Sequence, residues 1–162
     1  MIKNKNKYGK IISVMIFKIL VVLHALGATV WAGGHLVLAI AVLPKALNQQ
    51  DPDLIKNFEE NFETMGLVAL AIQVLTGIGL AWIYLPGVQD LLKFESFLST
   101  YIAIKLGLLL ATIALAVHAR FWIMPRLSKQ NLTALGLHIA AVATLAVAFV
   151  IVGAGIRLGG LT

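Results

Sequence analysis

Four stretches of this chain are each long and apolar enough to cross a bilayer, and nothing else in the sequence constrains its fold as tightly. A membrane helix needs roughly 20 mostly apolar residues to span ~30 Å of hydrocarbon. Such runs lie at about 11–43, 65–85, 97–124 and 133–156. Period-two alternation is absent, so a membrane barrel is not indicated. Of 162 residues, 60% are hydrophobic and 12% charged, and the mean hydropathy is +0.93. Soluble domains carry about 45–50% apolar and about 25% charged residues. The composition therefore excludes a water-soluble globule. Residues 1–162 read as a single all-α domain, an integral membrane up-down four-helix bundle.

Local punctuation supports that division. Pro44, Pro86 and Pro125 each follow an apolar run, where helices are expected to stop. Asp51-Pro52 has the form of an N-cap followed by proline at the first helical position. From there Ile55, Phe58, Phe62 and Met65 recur at helical spacing, so the second helix is expected to begin outside the membrane and run in. The basic amino terminus, MIKNKNKYGK, resembles a signal peptide. The apolar stretch after it is too long for an h-region, and no small-residue cleavage site ends it. It reads as a retained first helix. Gly153, Gly155, Gly159 and Gly160 predict a loosened carboxy end.

Orientation follows the lysine and arginine bias. With the amino terminus inside, Lys3, Lys5, Lys7, Lys10, Lys93 and Arg157 lie on the cytoplasmic side. Lys45, Lys56, Arg126 and Lys129 lie outside, diluted by Asp51, Asp53, Glu59, Glu60 and Glu63. The expected location is a bacterial inner membrane, with both termini cytoplasmic. The formal charge of +6 is thereby explained by membrane flanks, and the scattered basic residues form no aromatic-basic patch for nucleic acid. The absence of cysteine excludes disulfides, thiolate metal sites, iron–sulfur clusters and c-type haem attachment.

Ionisable groups at membrane depth are costly, and each is a functional hypothesis by default. All four histidines, His24, His35, His118 and His138, fall within the apolar runs. His24 and His35 are eleven residues apart, so they share a helical face to within ~20° and differ in depth by ~16 Å. Trp31 is on that face too. His35, His118 and His138 come from three helices at similar depth near the outer side, while His24 lies alone and deeper. Imidazole is the commonest protein metal ligand, and facing helices of a bundle build cofactor sites. Three imidazoles suit copper; two suit the axial positions of a b-type haem. Glu59 and Glu63, four apart at the outer mouth of the second helix, complete a hard coordination shell or attract cations. The plainer alternative is hydrogen-bonded packing between helices.

Other polar residues have bland readings beside the sharp ones. Lys105 is either a cation within the bundle or a snorkelling side chain. Gln73 is expected to bridge helices, and Arg120 to anchor at the interface. Gly27, Gly33, Gly34, Gly66, Gly77 and Gly79 permit close helix approach, or leave room for a flat macrocycle. There is no phosphate-cradling loop, no serine-histidine-acid order and no HExxH.

The first helix reads His24-Ala-Leu-Gly27-x-x-x-Trp31-x-Gly33-Gly34 and continues to Leu43-Pro44; the third reads Lys105-Leu-Gly, Ala119-Arg120 and Pro125-Arg126-Leu127. Together these resemble the bacterial copper-resistance D (CopD) type of inner-membrane protein. His24, seven before Trp31, and the third-helix Lys-Leu also resemble the HemJ type, a membrane protoporphyrinogen oxidase with b-type haem. The first resemblance implies periplasmic copper handling or uptake, with a periplasmic copper protein as partner. The second implies His24 as a haem ligand and Lys105 as a catalytic or quinone-side group. The leading expectation is a copper-binding membrane protein that uses His35, His118 and His138, assisted by Glu59 or Glu63. The alternatives are a haem b protein with two of His24, His35, His118 and His138 as ligands, exchanging electrons with quinone, and a structural or accessory subunit. Beyond the lipid bilayer, a homo-oligomer is compatible with a chain of only four helices.

Overall fold

A computed structural model describes residues 2–85 and 87–160, with the side chains of residues 2–7, 88, 90 and 92 set aside. Every regular element among the described residues is helical. The long elements are α1 (Ile2–Val37), α3 (Asp53–Tyr84), α5 (Phe97–His118) and α6 (Leu132–Leu158); α2 (Leu43–Gln49) and α4 (Val88–Lys93) are short. Four helical stretches are long and apolar enough to cross a membrane: Tyr8–Gln49, Asp53–Tyr84, Phe97–Arg126 and Lys129–Leu158. The chain runs up and down four times, as its hydropathy requires. We call the end holding both termini the terminal end and the opposite one the distal end. α1 packs against α3 and α6, and α6 against α5, whereas the backbones of α3 and α5 hardly meet.

The helix ends follow from local chemistry. Gln50, at φ 51°, breaks α2, and Asp51 Oδ1 accepts the Asp53 N–H at 3.0 Å to start α3. That is the expected capping role of Asp51 ahead of Pro52. Ser96 and Ser99 form a reciprocal capping box on α5. α6 runs unbroken through Gly153 and Gly155 to Leu158, so the expected loosening of the carboxy end is corrected. There Gly159, at φ 80°, turns the chain, and the Gly160 N–H returns to the Gly155 carbonyl at 2.9 Å. This six-to-one bond is the usual glycine closure of a helix.

Pro44 does not stop the first span. Residues Leu38–Val42 widen into a π-helix, and the Leu43 N–H bonds the Leu38 carbonyl five residues back. Helix then resumes through Pro44 to Gln49. Ala119–Ile123 widen in the same way before Pro125, with the Met124 N–H on the Ala119 carbonyl. A proline ring collides with the carbonyl four residues earlier in a regular helix and brings no N–H. One wide turn just ahead of it relieves both problems. At Pro125 the chain tightens into the 3₁₀ turn Met124–Arg126 and leaves the helix, as the sequence predicts. Pro86 lies outside the described residues.

Two apolar clusters hold the bundle. At the distal end Leu38, Leu43, Ala46, Ile55, Leu132, Leu135 and Ile139 bury one another under α2. Mid-bundle, Trp31 and Ala32 meet Ala69 and Ala146. Large apolar side chains such as Ile40, Leu75, Trp82, Leu110 and Leu137 stay exposed around the outside. Lipid is as apolar as these side chains, so exposure there carries none of the cost it has in water.

Candidate functional site

The histidines fall into three different settings. On the terminal side of mid-bundle, His24 Nδ1 lies 2.9 Å from the Thr76 hydroxyl. That hydroxyl donates to the Ile72 carbonyl at 2.5 Å, so its oxygen is left to accept and His24 Nδ1 carries the proton. Gln73 Nε2 donates to the His24 backbone carbonyl, making the interhelical bridge expected of Gln73. Gly77 lets the ring approach: a Cβ there would sit 3.2 Å from His24 Cε1. Expected to lie alone, His24 is instead fastened to α3 by its ring and its backbone. One turn of small residue on α3 makes that possible.

His35 shares the α3-facing side of α1, as its spacing from His24 predicts. Its Nδ1 lies 2.8 Å from the Trp31 carbonyl, which only accepts, so Nδ1 donates and Nε2 keeps its lone pair. The ring packs at 4.5 Å from Trp31 and edge-on to Phe62 at 5.8 Å. Phe62 in turn points the tip of its ring at Gly34, where a Cβ would come 2.0 Å from Phe62 Cζ. The space beside Gly34 is therefore taken by an aromatic side chain of α3, not kept for a macrocycle. Gly33 has no neighbour within 4 Å of where its Cβ would be.

His118 and His138 meet directly. His118 Nδ1 lies 3.1 Å from His138 Nε2, with the rings stacked at 4.8 Å and 26°. Trp122, one turn beyond His118, also stacks with it, at 5.8 Å and 12°. His118 is the last residue of α5 before the π turn, and His138 lies in the second turn of α6. His118 is exposed and His138 half-buried. The expected gathering of three imidazoles is not what the fold brings together. Among the described residues no three histidine, cysteine or acidic side chains stand close enough to hold a metal ion. His118 pairs with His138, while His35 belongs to an aromatic layer between α1 and α3.

The carboxylates lie beside this pair, not in it. Arg120 Nη1 is 3.3 Å from Glu63 Oε1, joining the π turn after α5 to α3 across the side where those backbones stand apart. Arg120, expected to anchor at the interface, thus takes a specific protein partner. Glu59, Glu60, Glu63 and Lys56 line a distal cleft of about 340 Å³ with Arg120 and Met124. Glu63 is half-exposed and already engaged, and Glu59 is one turn before it.

Sequence reasoning missed Thr76, Trp122 and both π turns, and read Phe62 only as part of a helical repeat. Trp122 was findable as the residue four after His118, and each π turn as the segment between a histidine and a proline. Lys105, by contrast, lies on the inward stripe of α5 with Ser99, Ile102 and Thr112, its ammonium against α6 at Gly153.

No curated protein and no solved structure matches the chain. A family model described as copper resistance protein D matches residues 56–156. The match runs from the first turn of α3 almost to the end of α6. It includes His118, His138 and the Lys105-Leu-Gly and Pro125-Arg126-Leu127 segments, and it leaves out the first-helix pattern around His24 and His35. With well over half of the chain matched on a frame of four membrane-length helices, this membrane protein belongs to the copper resistance protein D family.

Proposed function

We propose that this protein binds copper ions as cargo at its distal end, through His118 and His138, for periplasmic copper handling or uptake. The observation that carries the reading is the 3.1 Å separation of His118 Nδ1 and His138 Nε2. Two nitrogen donors at that distance, with metal bonds of about 2.0 Å, subtend roughly 100° at a shared ion, as in tetrahedral or adjacent square-planar positions. In the metal-free pair one nitrogen donates its proton to the other. A cation between them takes both lone pairs, and each ring keeps its proton on the far nitrogen, so the exchange is one of tautomer. Imidazole pairs suit Cu(II) better than sulfur-loving Cu(I).

Two protein ligands leave coordination positions open, which suits an ion that must be released to a carrier. The acidic cleft of Glu59, Glu60 and Glu63 raises the local cation concentration beside the pair. His35, with its Nε2 lone pair free and its Nδ1–H fixed on a backbone carbonyl, is held as metal-binding imidazoles are and serves as the next acceptor inward. The lysine and arginine bias supports cytoplasmic termini in a bacterial inner membrane and a periplasmic distal end. A periplasmic copper protein is the natural donor or acceptor there.

Haem b held between two histidines is the competing chemistry. Opposite axial ligands lie about 4 Å apart across an iron with bonds near 2.0 Å. His118 and His138 are closer than that and in ring contact, so they do not bracket a porphyrin. The deciding experiment is elemental analysis of the purified protein loaded with Cu(II), together with its visible spectrum. Copper at about one equivalent, lost in His118→Ala and in His138→Ala, is the expected result. A Soret band in the unmutated protein overturns it in favour of haem and electron exchange with quinone. Unchanged copper in both variants leaves an accessory subunit whose histidines only pack.

A further inference from the structure

The distal half of the chain, from Lys45 to Glu63 and from Arg120 to Lys129, holds five basic and five acidic residues. The remaining eight basic residues and two acidic ones belong to the terminal half, so the whole net charge of +6 is concentrated there. Within that half two cations sit on the bundle itself. Lys105 projects from the inward stripe of α5 onto α6, where a Cβ at Gly153 would lie 3.2 Å from its Nζ. Arg157 follows Gly153 by four residues on the same face of α6, and its guanidinium lies 5.6 Å above the ring of Phe17 on α1. Phe17 is itself braced edge-on by Tyr84 of α3 at 5.9 Å. Gly153 and Arg157 are one helical turn apart, so the ammonium and the guanidinium address the same turn of α6. Among the described residues neither Lys105 nor Arg157 makes an ion pair or a hydrogen bond. Two neighbouring cations without an acid, inside or at the edge of hydrocarbon, repel each other strongly where the dielectric is low. An anion between them removes that cost.

We propose that Lys105 and Arg157, converging on the Gly153–Arg157 turn of α6, bind the phosphate of an anionic phospholipid from the leaflet at the terminal end. Gly153 is the opening for the ammonium, and Phe17 holds the guanidinium with its N–H fork free for phosphate oxygens. The bundle's exposed apolar side chains, Leu106 and Leu158 among them, offer the lipid's acyl chains a surface. The cytoplasmic leaflet is the anionic one, in agreement with the charge asymmetry of the chain. The bound phosphate bridges Lys105 of α5 and Arg157 of α6, so it stabilises the bundle. This inference is independent of the copper reading, which concerns the other end.

The test is thermal unfolding in a neutral detergent with added phosphatidylglycerol, phosphatidylcholine or inorganic phosphate. Phosphatidylglycerol at roughly tenfold excess over its Kd raises Tm by ~3–5 °C, and phosphatidylcholine and 10 mM phosphate raise it by less than about 1 °C. The double variant Lys105→Gln/Arg157→Gln loses most of that shift. Lys18→Gln, which removes an exposed cation of α1 near the same end, keeps it. Equal shifts with both lipids, or a full shift in the double variant, overturn the proposal; a phosphate shift matching that of phosphatidylglycerol overturns the lipid and leaves a free-anion site. Should the double variant not fold, native mass spectrometry of the unmutated protein decides: preferential retention of phosphatidylglycerol supports the site, and equal retention of both lipids overturns it.

Discussion

His24 and His138 are both imidazoles on membrane-crossing helices, yet their surroundings differ in kind. His24 spends its one N–H on Thr76, its backbone carbonyl on Gln73, and its ring contact on Gly77. Every one of those partners is on α3, so the cluster acts as a fastener between two helices. His138 touches another imidazole at the edge of the bundle, with open surface around it and an acidic cleft close by. The difference teaches that intramembrane polarity alone does not mark a site. What distinguishes the two is whether the polar atoms are already satisfied within the protein.

The largest expected effect separates them in opposite directions. His24→Ala removes a half-buried ring and its interhelical hydrogen bond and destabilises the protein by ~1–3 kcal/mol, while bound copper per folded molecule is unchanged. His138→Ala changes stability by less than ~1 kcal/mol but lowers copper affinity at least ~10-fold through loss of a first-contact ligand. Thermal unfolding in detergent and elemental analysis of the same preparations read both quantities. If the two variants behave alike, the division between fastener and site is wrong.

Thr76→Val sharpens the terminal side of the comparison. The substitution keeps the shape and strips the acceptor from His24 Nδ1–H, leaving a donor unsatisfied in a low-dielectric setting, at a cost of ~1–3 kcal/mol. Thr76→Ser restores the oxygen and most of the stability, which melting temperature checks directly. A smaller effect is expected at Gly77. The added methyl of Gly77→Ala meets His24 Cε1 at 3.2 Å, so the ring must shift by a few tenths of an ångström, costing about 1 kcal/mol. Gly33→Ala meets nothing within 4 Å and is the matched control, expected to be neutral or slightly stabilising.

These contrasts also explain what the sequence made legible. The four membrane spans and their up-down order follow from apolar length, because hydrocarbon thickness sets a minimum that no packing detail can override. The shared face was equally readable: His24 and His35 both pack against α3. Partner choice was not. Depth places His35 level with His118 and His138, but whether rings meet depends on rotation about each axis and on which helices are neighbours. Phe62 against Gly34 draws His35 toward α3, and the direct α5–α6 contact brings His118 to His138. The persistence of helix beyond Pro44 had the same origin, since a π turn costs little when the next turn is buried by Ile55 and Leu132. Local proline rules predict a stop only where tertiary packing does not continue the helix.

The smallest expected effect lies at Glu63, and it bears on how the distal end works. Its pair with Arg120 is 3.3 Å long, with the two side chains 45% and 62% exposed. Exposed ion pairs contribute little, so Glu63→Gln shifts stability by no more than ~0.5 kcal/mol. If Glu63 only helps to gather cations, copper capacity is unchanged and the loading rate at low salt falls by no more than ~2–3-fold, a difference that disappears near 0.15 M salt as screening sets in. If Glu63 leaves Arg120 to become a ligand, capacity or affinity falls at every ionic strength. Stopped-flow loading at two salt concentrations separates these outcomes. The first leaves the imidazole pair as the site, whereas the second moves its boundary into the cleft on α3.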